Sequence, residues 1–444
     1  MSLHSPTGAA IAAIVIGFGL WWVLARWGPS ASQLTWRLAM PIAAAGLLIR
    51  IVFALAVPTE FGPDEAAHVN YVRYVYENRS LPVHSTELRS AILERGWEHH
   101  QPPLYYVMLA PVYGLARDVA GLDRTGTFRV LRLFTIPFWC ITLWLGVRVW
   151  SRMRIQGALA GSIFLCMLCL LPSYAFVSAM VTNDALLAAL AAGVFCLLAE
   201  TRGVGRSLGV GVLLGLALLT KTSTMFLVIP IPVLLLLRWV SGDATRKQTG
   251  ADLALMLVPA MILFGPLALR NQELYGSVMG VTGIDYPEFP WSSGLHAFTH
   301  SCKFLMTTFW AVAGPWNGVR FAPFIGMGLT GISLASLAYG VARHRRSLLD
   351  AVPRECLWYL AAAGVGIAVI VAATMRVGLI YNQAQGRFLF PYLVPIAIYF
   401  AASFKLTKLE PWLSRPHLHV AGFFSTYVLG FAAFVLTRFA NALS

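Results

Sequence analysis

The chain has 444 residues, of which 58% are hydrophobic and 12% charged; its formal charge is +14 and its mean hydropathy +0.70. A soluble domain of this size carries about a quarter charged residues, so the composition excludes a soluble protein and points to an all-α polytopic membrane protein. The basic surplus is a topology signal and not a nucleic-acid one, because 28 of the 33 basic residues are arginine and most lie in short inter-helix loops, the pattern of cytoplasmic loops.

Apolar runs long enough for a hydrocarbon core of about 30 Å fall at 8–25, 38–57, 131–149, 155–176, 183–200, 207–220, 223–240, 252–269, 319–341, 357–375, 387–404 and 418–438. Segment 8–25 has no charged leader and no small-residue cleavage signature, so it reads as a retained span. No hydrophilic stretch is long enough for a separate soluble domain, and residues 1–444 read as one integral membrane domain. Segments 103–119 and 303–314 are weaker. If 103–119 crossed, the basic loop 148–154 (Arg148, Arg152, Arg154) would face outward. The sequence therefore predicts that 103–119 lies in the interface without crossing. Stretch 207–240 reads as a short hairpin of two apolar halves around Thr220-Lys221-Thr222-Ser223. Gly157/Gly161 and Gly211/Gly215 are GxxxG pairs, expected to mark close helix packing. Cys166 and Cys169 have CxxC spacing inside an apolar run, which is core packing and not a zinc site.

Loop 59–103 departs from its surroundings. It holds seven of the nineteen acids (Glu60, Asp64, Glu65, Glu77, Glu87, Glu94 and Glu98) against four arginines. Pro63 suits a first helical turn with Gly62 at the cap, so a helix is expected from Asp64 to Asn78. Four-residue spacing puts Asp64, His68 and Tyr71 on one face, and the apolar members make the helix amphipathic and interfacial. An ionised acid there can accept a proton, as a general base must; a solvated interfacial helix with incidental acids explains the same residues. His100, Gln101 and Tyr105, around Pro102-Pro103, can hydrogen-bond a sugar or phosphate, or simply form an interfacial aromatic belt.

Three further features are charged. Asp184 opens span 183–200, either as a helix-start acid behind the N-cap candidates Thr182 and Asn183 or as a second outward acid. Lys221 stands inside an apolar stretch and so should face an interior or wet cavity, unless it snorkels to the headgroups. Arg270 and Arg387 sit at the outer ends of their spans, where positive charge is disfavoured, which suggests an anionic partner such as a lipid phosphate.

The order of these motifs, from Phe61-Gly-Pro-Asp-Glu-Ala-Ala-His through His100-Gln-Pro-Pro-Leu-Tyr-Tyr, Asn183-Asp-Ala-Leu-Leu, Leu219-Thr-Lys and Arg270-Asn to Gln385-Gly-Arg-Phe-Leu-Phe-Pro, resembles the GT-C membrane glycosyltransferases. That class contains the protein O-mannosyltransferases and the aminoarabinose transferases, and the likeness is greatest to a bacterial branch. The resemblance implies a GT-C-like bundle of about 12–13 transmembrane helices. In that reading 38–269 is the catalytic module with outer loop 59–103, and 270–444 supplies C-terminal helices and a second outer loop, 270–302.

The resemblance also implies an inverting transfer of a sugar from a polyprenyl-phosphate donor to an envelope glycan, lipid or protein, at the outer face of the plasma membrane. Asp64 with Glu65 would be the catalytic acid-base. Substrate contacts would come from His68, His100, Gln101, Tyr105, Asp184, Lys221, Arg270 and Arg387. No metal or other cofactor is required, although Asp64 and Asp184 are able to hold a divalent cation. Aromatic loop 284–300, with His296, is a candidate acceptor wall or an interface anchor. The rival readings are a secondary transporter or flippase, for which no internal repeat is visible, and a non-catalytic envelope assembly protein.

Overall fold

The computed structural model describes residues 36–83, 97–155, 157–200, 203–280, 288–314, 319–406 and 416–443. The expected span 8–25 and the first residues of loop 284–300 lie outside them. The described chain is almost wholly helical: α1 (Trp36–Ala56), α2 (Glu65–Asn78), α3 (Leu104–Gly114), α4 (Arg124–Met153), α5 (Ala158–Cys169), α6 (Pro172–Val177), α7 (Asp184–Leu198), α8 (Val204–Leu218), α9 (Pro230–Val240), α10 (Arg246–Tyr275), α11 (Gly294–Trp310), α12 (Pro323–Ala351), α13 (Arg354–Tyr381), α14 (Leu393–Leu406) and α15 (Pro416–Leu443). Short 3-10 turns at Trp97–His100, Thr222–Val228 and Gly386–Tyr392 interrupt it, and a two-stranded hairpin pairs Val312 with Arg320 and Ala313 with Val319.

Among the described residues, eight helical segments are long and apolar enough to cross a membrane, and 184–198, 204–218 and 323–339 are shorter apolar helices. The protein is an all-α polytopic membrane protein. Segment 158–177 is wholly buried inside the bundle, while only 17% of the apolar window of α10 is buried. A helix apolar on every side must be covered on every side, by protein or by lipid. The α5–α6 segment therefore forms the protein core, with α1, α14 and α15 packed on it, and α10 is peripheral.

The Gly211/Gly215 pair behaves as expected. A Cβ on Gly211 would lie 2.6 Å from the Met256 carbonyl oxygen, and one on Gly215 would lie 3.0 Å from the Ala260 Cα, so α8 and α10 approach backbone to backbone. Gly157 has a different role: it precedes α5 with φ 126°, a conformation that favours glycine. Cys166 and Cys169 are fully buried thiols within the core. Stretch 207–240 is two unequal apolar segments on either side of Thr220-Lys221. After α8 the chain turns through a 3-10 segment that runs on into α9, giving a 19-residue apolar stretch from Thr222 to Val240.

Segment 104–119 is one α-helical stretch closed by a π turn, Leu115–Val119, and is not among the helices long enough to span. It packs on amphipathic α2 through an aromatic seam in which the Tyr71 and Tyr106 rings stack at 3.8 Å.

Candidate functional site

The expected helix in the acidic loop begins one residue late. Asp64, not Gly62, is the N-cap, and its backbone is left-handed (φ 55°, ψ 18°), a region aspartate tolerates better than most residues. The turn is fixed from both sides. Gly62 donates its N–H to Glu65 Oε2 at 3.0 Å, and a Cβ on Gly62 would meet Met180 Cβ at 2.8 Å. The reach of Glu65 back to the preceding N–H is the logic of a capping box.

The two neighbouring acids therefore face different partners. Glu65 is fully buried. Its carboxylate takes both arms of the Arg132 guanidinium at 2.7 Å and accepts the Val181 N–H at 3.0 Å. Arg132 also donates to the carbonyls of Val57 (2.5 Å) and Pro58 (2.7 Å). A carboxylate so saturated has no lone pair directed at a substrate, so Glu65 is an anchor and not the second half of a catalytic pair. It ties the end of α1, the Asp64 turn and the α6–α7 loop to one point on α4.

Asp64 stays partly accessible, with 23% of its side chain exposed, and its Oδ2 accepts from Arg387 Nη2 at 2.6 Å. Arg387 lies on the 3-10 turn after Gln385, whose side-chain oxygen accepts from Arg387 Nε at 2.6 Å. Gly386 makes this possible. Its N–H donates to Thr308 Oγ1 at 2.8 Å, and a Cβ there would fall 2.3 Å from the Phe309 Cα. The second arm of Arg387 lies 3.6 Å from Asp184 Oδ2. Asp184 Oδ1 in turn accepts from Lys221 Nζ at 2.5 Å. Lys221, Asp184 and Arg387 are each buried, so Lys221 faces the interior and does not snorkel. At the start of α7 the Asn183 side chain does not cap but donates to the Thr220 carbonyl, whereas Thr182 Oγ1 accepts the Asp184 N–H at 3.3 Å and donates to Asp184 Oδ2 at 3.2 Å.

A chain of alternating charges thus joins Asp64, Arg387, Asp184 and Lys221, drawn from four separate segments. Burial pushes the Asp64 carboxyl up, but the charge and hydrogen bond of Arg387, with help from His68 and Lys221, outweigh it and hold Asp64 below its ordinary value. Asp64 and Asp184, the two acids able to hold a divalent cation, each carry a cationic side chain. Among the described residues, no three His, Cys, Asp or Glu side chains gather as a metal site.

The remaining expected residues divide. His68 is buried, and its Nδ1 is 2.9 Å from the Tyr106 hydroxyl. Tyr105 is buried with its ring edge-on to His68. Gln101 and His100 meet side chain to side chain at 3.0 Å, and the Gln101 carbonyl accepts from Tyr71 at 3.3 Å. Arg270 does not join the charged chain; its guanidinium donates to the carbonyls of Leu81 (3.4 Å) and Pro82 (2.9 Å), so it pins the end of the acidic loop's first half. Within 288–300, the rings of Phe289, Trp291, His296 and His300 cluster, while Trp291 Nε1 and the Phe289 N–H anchor to the carbonyls of Leu379 and Ile380 at the end of α13. A cavity of about 430 Å³ lined by Glu60, Asn70, Arg73, Arg117 and Arg124 contains none of the four charged residues.

At this site sequence reasoning passed over two charged groups, Arg132 and Glu98. Arg132 was hidden as a lone charge at the edge of an apolar run, where it could have been flagged. Glu98 was one acid among seven, yet it is buried beside the site: its charge acts on His68, Asp64, Lys221 and Arg387.

The helical bundle shares its fold with a solved membrane protein. The structure matches that of ArnT from Cupriavidus metallidurans bound to undecaprenyl phosphate over 90% of this chain and 76% of that one, with TM-score 0.56 and 14% identity. The same protein in its apo state matches with equal coverage, TM-score 0.56 and 13% identity. No family model matches the sequence, and no curated protein does.

Proposed function

We propose that this chain is a membrane glycosyltransferase that moves a sugar from a polyprenyl-phosphate donor to an envelope acceptor, with inversion, at the outer face of the plasma membrane. The observation that carries the reading is Arg387, held between Asp64 (2.6 Å) and Asp184 (3.6 Å) with Lys221 on the far side of Asp184. This is a base, a second acid and two cations at one point, and it is the chemistry such a transfer needs. The crystallised ArnT, which shares the fold, binds undecaprenyl phosphate, and that ligand class fits the same cations.

The acceptor hydroxyl or amine attacks the anomeric carbon. The bond from that carbon to the phosphate oxygen breaks, and its electron pair leaves on the phosphate. Lys221 and Arg387 neutralise the charge that grows there, where preorganised cations contribute most. Asp64 takes the acceptor proton. Arg387 occupies Asp64, so a phosphate that draws Arg387 away also returns to Asp64 its basicity. Donor binding and base activation are then one event. No metal is needed in this scheme.

The test is binding of undecaprenyl phosphate to the purified protein in detergent. A charge-assisted hydrogen bond contributes about 1.5–3 kcal/mol, so Arg387→Gln should weaken binding by about 10- to 100-fold. Equal affinity in wild type and Arg387→Gln would remove the phosphate role.

A further inference from the structure

Glu98 is the buried acid the mechanism leaves unused. It lies on the 3-10 turn Trp97–His100, directly before Gln101-Pro102-Pro103, and is only 5% exposed. Its Oε2 has no hydrogen-bond partner among the described residues. A buried carboxylate with one oxygen left unbonded is costly, whereas a neutral carboxylic acid is much less so. The groups around it come from every side of the site: His68 on α2, Asp64 at its cap, Lys221 before α9, Arg387 before α14, and the Tyr106 hydroxyl on α3. Among the described residues the fixed cations acting on it are two, Lys221 and Arg387, and both are already engaged by Asp64 and Asp184. A third ionised carboxyl would leave the site with more negative than positive charge just where an anionic lipid phosphate has to enter.

Resting on the donor-phosphate reading above, we infer that Glu98 is a donor-binding residue that works as a neutral acid. Its carboxyl O–H donates a hydrogen bond to the incoming lipid-linked phosphate, so donor binding takes up a proton at Glu98 only on the alkaline side, where the free group has lost it. No covalent bond changes in this step. Burial pushes the Glu98 carboxyl up, and nearby Asp64 adds to the shift, while His68, Lys221 and Arg387 oppose it, with a net rise. The sign of the pH effect follows. As pH rises through the Glu98 value, the group loses its proton, the site gains a negative charge, and affinity for a phosphate falls. The second ionisation of the phosphate itself, near pH 6, affects wild type and variants alike and so cancels in the comparison.

Undecaprenyl phosphate binding to the full-length protein in detergent, measured from pH 5.5 to 9, tests this. Wild type should lose affinity by about tenfold or more on the alkaline side. Glu98→Gln, a neutral side chain of the same shape that still donates, should keep the acid-side affinity and abolish most of that loss. Glu98→Ala, which cannot donate, should bind weakly at every pH. If Glu98→Gln is as weak as Glu98→Ala, or if its pH profile matches wild type, the inference is overturned.

A second measurement compares proton uptake. Calorimetry on the alkaline side of that affinity loss, in buffers of different ionisation enthalpy, should show more proton uptake on binding to wild type than to Glu98→Gln, and equal uptake by the two overturns the role of Glu98. Absence of undecaprenyl phosphate binding at any pH would instead bring down the donor reading beneath it.

Discussion

The Arg132–Glu65 pair gives the sharpest quantitative expectation. Both side chains are fully buried, and the guanidinium makes two 2.7 Å bonds to the carboxylate plus bonds to the Val57 and Pro58 carbonyls. Arg132→Met keeps the length and removes the charge. Glu65 is then left as a buried carboxylate with only the Gly62 and Val181 amides as donors. Removing one member of such a pair costs about 3–5 kcal/mol, whereas replacing both by neutral groups is often close to neutral. The expected result is a strongly destabilised Arg132→Met protein and an Arg132→Met/Glu65→Leu protein that recovers much of the loss. The assay is a double-mutant cycle on denaturant unfolding in mixed micelles. Strict additivity, or a loss below about 1 kcal/mol for Arg132→Met, would show that the pair does not hold the Asp64 turn.

Two further predictions concern the arms of the site. Gly386→Ala places a methyl group 2.3 Å from the Phe309 Cα. It should displace Arg387 and lower transfer and undecaprenyl phosphate affinity together, while Gly250→Ala on α10, which meets no neighbour within 4 Å, should leave both unchanged; equal behaviour of the two would refute the close-approach argument. Asp64 has a depressed value in the folded protein, so its stabilising contribution is present above the unfolded value and is lost only as pH falls through the folded one. The difference in thermal midpoint between wild type and Asp64→Asn should therefore be flat from about pH 5 to 8 and shrink only below the ordinary aspartate value of 3.8. A difference that changes near neutrality would contradict the Arg387 pairing.

The fold class was legible because hydropathy alone forces the chain into helices. Asp64, Asp184, Lys221 and Arg387 were also legible, each as a charge in a place that disfavours charge. Their contact was not. Asp64 and Arg387 are separated by 323 positions, and no local pattern encodes a bond across that distance. Glu65 was misread because adjacency in sequence suggests a shared role, whereas the left-handed turn at Asp64 sends the two carboxylates to different partners. Arg270 was read from its place at a helix end, a signal that cannot tell a free phosphate ligand from a cation held by two carbonyls. Glu98 escaped because burial, and not residue type, sets it apart from the other acids of its loop.

The central claim is that Asp64 is the base of a lipid-dependent sugar transfer. Mass spectrometry of envelope glycans and lipids should reveal a sugar missing from cells that lack this protein. The wild-type gene should restore it, and Asp64→Asn, expressed to the same level, should restore less than about 1% of it, in line with the 10²- to 10⁴-fold contribution of a general base. Full restoration by Asp64→Asn would contradict the account.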